Sequence, residues 1–145
     1  MAFLPGLFLK DSGGLAMCWG MVLAGLANLL GVLAFSRGYS NDYLGSLFPE
    51  LFSNWGLVCI QLWGLAYLAT SRSYRSCPAI VGVFAIEKAV YVGSWLWWQW
   101  NFGSQIGQIW ATDRLTAIFY GLYGPLDCAF GLYFAALFFI ARKES

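Results

Sequence analysis

The chain has 145 residues, of which 60% are hydrophobic, 19% aromatic and only 10% charged. Soluble domains carry about 25% charged residues, so this chain is too poor in polar side chains to cover itself with a water-facing surface. Eight basic and seven acidic residues leave a net charge of +1 with no basic tract, which argues against nucleic acid as a partner, and the lack of histidine removes the usual ligand of haem and catalytic zinc, so no metal or cofactor is expected.

Four apolar runs, at about residues 15–35, 54–70, 78–100 and 115–141, are each near or above the roughly 17–25 residues that cross a hydrocarbon layer as a helix. They predict an all-α integral membrane protein, a four-transmembrane-helix bundle in which residues 1–145 form a single domain. Lys10 and Asp11 precede a first run that is too long for the core of a cleavable signal peptide, so that run is expected to stay in the mature protein. It carries Ala16, Gly20, Ala24 and Asn28 at four-residue spacing, a small-residue stripe that lets helix backbones approach closely, expected here within the bundle. The connection over 36–53, with Gly38, Asn41, Asp42, Gly45 and Pro49, reads as turn and loop.

The second run has Gln61 near its centre and Trp63 in mid-span. A short loop over 71–77 leads to Pro78, near the first turn of helix three, where its missing N–H costs nothing. Glu87 and Lys88 lie in the middle of that helix. Being adjacent, they point about 100° apart and cannot pair face to face. The Glu87 face continues through Tyr91, Ser94 and Trp98. After a loop over 101–114 with Gly103 and Gly107, helix four carries Asp127 near its middle, and Thr116, Tyr120, Tyr123 and Gly131 on the same face. Gly124-Pro125 removes the backbone bond to the carbonyl of Gly121, so the helix is expected to kink there. If Gly124 caps the inner half, Asp127 becomes its third residue, close to exposed N–H groups.

Lys10, Arg72, Arg75, Arg142 and Lys143 fall on one side of this layout and Arg37 and Arg114 on the other, which places both termini in the cytoplasm, in a membrane of the bacterial inner or plasma type. Trp55, Trp97, Trp98, Trp100 and Trp110 gather at the opposite end as an interfacial aromatic belt would. Cys18, Cys59, Cys77 and Cys128 stand singly and read as small buried side chains.

The charges inside the spans are the most informative feature. Each costs about 2.5–3.5 kcal/mol at the bilayer centre even on the lenient insertion scale, so Glu87, Lys88 and Asp127 should face the interior and find partners. Lys88 is too deep to reach either interface, and Asp127 is its expected partner. Gln61 and Asn28 bring amides to a similar level, where interhelical hydrogen bonds of about 0.6 kcal/mol commonly act as glue. The functional expectation is a non-enzymatic protein that binds a small apolar or amphipathic ligand, or membrane lipid, in a midplane polar and aromatic pocket. The candidate residues are Glu87, Lys88, Asp127, Tyr91, Tyr120, Tyr123, Gln61, Asn28 and Trp63. Two alternatives stand beside it: a proton-coupled transporter or channel subunit acting as a homo-oligomer, and a structural or assembly subunit with a membrane-complex partner. No nucleophile, metal set or phosphate-binding loop is recognisable, so no catalytic residue is assigned.

Overall fold

A computed structural model describes residues 11–144, with side chains from 14 to 143, so Lys10 lies outside the described residues. Among them the chain is helical throughout, without a strand. The long helices are α1 (Asp11–Phe35), α4 (Asn54–Thr70), α5 (Pro78–Phe102) and α7 (Arg114–Glu144). Three stretches are long and apolar enough to cross a membrane: Gly14–Phe35, Pro78–Thr112 and Arg114–Lys143. With 17 residues, α4 is about 26 Å long at 1.5 Å per residue, slightly less than a hydrocarbon core of about 30 Å. The outward faces carry large apolar side chains, among them Leu23, Leu30, Leu62, Ile86, Leu126 and Leu132, an apolar surface larger than a soluble monomer tolerates.

The helices pack as two pairs, α1 on α4 and α5 on α7. Both pairs depend on glycine to bring backbones together. A Cβ on Gly25 would stand 2.8 Å from the carbonyl oxygen of Gly64, and one on Gly64 would stand 2.9 Å from that of Gly25, so α1 and α4 touch main chain to main chain. The small-residue stripe of α1 lies beside this contact. Ala24 and Asn28 are buried and Gly20 faces the ring of Tyr133 on α7, while Ala16 is exposed.

The two longer connections are not plain loops. Residues 36–53 contain the short helices α2 (Asp42–Ser46) and α3 (Pro49–Phe52), and residues 101–114 contain a 3-10 turn (Gly103–Gln105) followed by α6 (Ile106–Thr112). Tertiary contacts explain the difference. Leu44, Phe52 and Ile109 are buried in one cluster with Trp98, Tyr120 and Tyr123, and these segments fold because they plug one end of the bundle. Asn41 caps α2 by accepting the N–H of Leu44 at 3.2 Å, while its amide nitrogen donates to Phe35 O and Thr116 Oγ1, both at 3.0 Å. Asp113 caps α7 through the N–H of Leu115 at 3.0 Å and pairs with Arg37 at 3.0 Å. Burial works against its charge, but the Thr116 hydroxyl, the Thr116 and Leu115 backbone and Arg37 together hold its carboxyl below the usual range.

The other end is closed by Tyr74, Val81, Leu137 and Ala141, and Arg75 lies against Gly14. The start of α1, the 71–77 connection and the end of α7 therefore share one end, with Arg72, Arg75, Arg142 and Lys143. Arg37 and Arg114 occupy the other.

Three expectations need correction. Trp55, Trp97, Trp100 and Trp110 are exposed near the plugged end, but Trp98 is buried under the plug, its ring 4.4 Å from that of Tyr120 and its N–H directed to Leu47 O. Cys59, Cys77 and Cys128 are exposed and Cys18 half-buried, so thiols are not core packing here. Lastly, α7 runs through Pro125 as one helix, so Asp127 is an interior helical residue and not the third residue of a new half. Side chains from α5 support the weak point: Trp95 Nε1 and Gln99 Nε2 both donate to the carbonyl of Tyr120, at 2.8 and 3.0 Å, next to the Gly121 carbonyl that proline leaves without its usual donor.

Gly124 is the seat for the Trp95 ring, since a Cβ there would come within 2.1 Å of it. Gly124→Ala is therefore expected to lower stability by about 1–3 kcal/mol, the usual cost of overpacking, seen as a lower thermal midpoint in mild detergent, and Trp95→Leu added to it should recover part of the loss.

Candidate functional site

Lys88 is the most deeply placed charge among the described residues, with 1% of its side chain exposed. An ammonium has three protons to place. Its Nζ sits 2.6 Å from Asp127 Oδ1 on α7, donates to Asn28 Oδ1 on α1 at 3.3 Å, and lies 3.8 Å from Glu87 Oε1 on its own helix. The rings of Tyr67 and Tyr91 flank it at 5.4 and 5.8 Å, within cation–π range. A carboxylate, an amide and two ring faces thus stand where water would otherwise be.

The partners are themselves held. Asn28 Nδ2 donates to the carbonyl of Ile60 at 3.1 Å, so one amide joins α1, α4 and α5. Glu87 turns about a quarter of the helix away from Lys88 and reaches α4, where its Oε2 accepts the hydroxyl proton of Tyr67. Its Oε1 is buried without a hydrogen bond. The cluster therefore contains two acids to one base and draws a side chain from each long helix.

Tyr67 is the member that the sequence reading missed. In α4 it follows Ile60 and Gly64 along the face turned to α1, a face set by the Gly25–Gly64 contact. Gln61, one position round, belongs to a different contact: Nε2 donates to Leu29 O at 3.2 Å and Oε1 accepts from the Tyr39 hydroxyl. Trp63 packs edge-on against Phe84 at 6.3 Å, and Tyr120 donates to Leu44 O at 2.9 Å inside the plug. These three candidates lie outside the Lys88 cluster.

Next to the cluster is a cavity of about 190 Å³ between α1 and α7. Its polar groups come from Asn28, Asp127, Tyr91 and Tyr123, and its apolar walls include Phe35, Phe52, Phe119 and Phe130. Glu87 and Lys88 are not on its wall; they lie behind Asn28 and Asp127, which bond Lys88 and line the space. Tyr123, 7% exposed, puts its ring on the wall, while its hydroxyl is buried beside the Ser94 side chain of α5, which does not line the cavity. On the opposite side of Asp127 a groove between α5 and α7, lined by Ala89, Gly93, Gly131 and Ala135, also reaches Lys88. Chemically the site offers a hydrophobic ring-lined chamber edged by one carboxylate already matched by an ammonium.

Removing the Tyr67 hydroxyl leaves Glu87 with no hydrogen bond at all, so Tyr67→Phe is expected to cost about 1–3 kcal/mol of unfolding free energy in detergent. Gln61→Leu should cost nearer the ~0.6 kcal/mol average of interhelical hydrogen bonds in bundles. Comparing the two in one unfolding series shows whether the Tyr67–Glu87 bond holds the bundle more strongly than an ordinary interhelical hydrogen bond.

No protein-family model, no curated protein and no solved structure matches this chain, so its function has to be read from the site itself.

Proposed function

We propose that the chain is a four-helix multi-pass membrane protein, with both termini cytoplasmic, that binds a small apolar or amphipathic molecule or a lipid in the cavity between α1 and α7. The observation that carries this reading is the mostly apolar, ring-lined cavity with Asp127 and Asn28 at its edge. A largely apolar chamber with a few convergent polar groups is the usual form of a ligand site. The membrane assignment of all four helices rests on the apolar outward faces and on α4 packing along α1 as an equal member of the bundle. The orientation rests on the four described basic residues at the end that holds the 71–77 connection, against two at the plugged end.

A second reading, a proton-coupled transporter or channel subunit acting as an oligomer, is favoured by the excess of acid in the cluster, two carboxyl groups to one ammonium. Glu87-dependent proton uptake into proteoliposomes would favour it over simple binding.

The direct test is chemical identification of what co-purifies. Organic extracts of the protein from mild detergent should contain an apolar compound in fixed ratio to protein, and Ala27→Phe, which fills the cavity, or Asp127→Asn should reduce it about tenfold, equivalent to about 1.4 kcal/mol. The same bulk lipids in the same ratio from all three proteins would rule the reading out.

A further inference from the structure

The geometry points to a bound proton: we infer that Glu87 is held as a neutral carboxylic acid at neutral pH, which makes the cluster in the middle of the bundle a one-proton store. This holds whether or not the cavity has an occupant, and in a coupled transporter Glu87 is then the group that carries the proton.

Charge is out of balance at this depth. Of the acidic residues in the sequence, only Glu87 and Asp127 lie well inside the long helices; Asp11, Asp42, Glu50, Asp113 and Glu144 are at helix ends or in the connections. Lys88 is the one basic residue placed equally deep. The charged and titratable groups around Glu87 are Lys88 and Tyr91 on its own helix, Tyr67 on α4 and Asp127 on α7, while α1 brings the neutral amide of Asn28. Two carboxylates and one ammonium leave one negative charge without a counterpart. An unmatched carboxylate is among the costliest groups to keep in an apolar interior, and such a group takes up a proton instead.

Lys88 neutralises Asp127 and leaves Glu87. Asp127 Oδ1 stands 2.6 Å from Nζ in a close charge-assisted hydrogen bond, and 14% of the Asp127 side chain is exposed. Glu87 Oε1 stands 3.8 Å from the same nitrogen, beyond hydrogen-bonding distance, with 5% of the side chain exposed. The second hydrogen bond from Nζ goes to Asn28 at 3.3 Å, so the ammonium is bonded to α1 and α7 and not to its neighbour in the chain. Oε1 is buried without any hydrogen bond, an arrangement far more costly for a charged oxygen than for a neutral one. As a neutral acid, Glu87 keeps Oε2 as the carbonyl oxygen that accepts from Tyr67 and carries its proton on Oε1, so the atom without a partner is uncharged. Loss of that proton gives Lys88 a second anion to pair with and weakens its hold on Asp127, the acid that lines the cavity.

The test is infrared spectroscopy of the purified protein in an ester-free detergent, read where protonated carboxylic acids show their carbonyl stretch. At neutral pH exposed carboxyl groups are ionised and contribute nothing there, so a band reports a buried neutral acid. The unaltered protein is expected to show a band equivalent to one carboxyl group. Glu87→Gln should abolish it, and so should Asp127→Asn, which releases the ammonium to Glu87. Tyr67→Phe should keep the band and raise its frequency, because the Glu87 carbonyl oxygen loses its hydrogen bond. Absence of the band from the unaltered protein, a reading that needs no variant to fold, would overturn the inference. A band that survives Glu87→Gln, or keeps its frequency in Tyr67→Phe, would place the proton on another group and overturn it as well. One that survives undiminished in Asp127→Asn would contradict the charge balance from which the proton is inferred.

Discussion

Everything in the middle of this molecule is arranged around the ammonium of Lys88. A charge in hydrocarbon is tolerated only with partners, and Lys88 finds Asp127 on α7 and Asn28 on α1, with Glu87 beside it and the tyrosine rings of α4 and α5 around it. The two helix pairs, α1 with α4 and α5 with α7, are each held by close backbone or ring-on-glycine packing. Between the pairs there is less of that packing, and the polar cluster supplies the tie. Helices in lipid gain little from hiding apolar surface from each other, so a shared hydrogen-bonded group is an effective way to fix how the pairs meet.

The same tie explains why there is a cavity. The Lys88 group draws α5 toward both α4 and α1, while at the far end the α2, α3 and α6 plug fills the space above. Between these two levels lies the chamber lined by Asn28, Asp127, Tyr91 and Tyr123. Its polar edge consists of the outward faces of groups already engaged with Lys88.

Composition and run length made the helical class and the apolar spans legible, because both are properties of a few consecutive residues. The short helices of the two longer connections were not, because they depend on distant partners: Asn41 bonds Thr116, and Phe52 meets Phe119 and Tyr123 edge-on. Gly124-Pro125 shows the limit well. Locally it reads as a break, but Trp95 and Gln99, contributed by another helix, seat the glycine and bond the neighbouring carbonyl, and α7 continues. In the site, Glu87, Lys88 and Asp127 stood out because charge in a span is rare. Tyr67 did not, since a tyrosine among so many aromatics carries no signal until the Gly25–Gly64 contact fixes which face of α4 turns inward.

The central claim is that Lys88 and Asp127 are coupled, each needing the other. A thermodynamic cycle in mild detergent, comparing Lys88→Met, Asp127→Asn and the double variant by reversible unfolding, tests this most directly. Lys88→Met alone should cost about 3–5 kcal/mol, because it leaves a buried carboxylate without its cation, and the double variant should be more stable than Lys88→Met. Costs that simply add, or a Lys88→Met protein as stable as the original, would contradict the account.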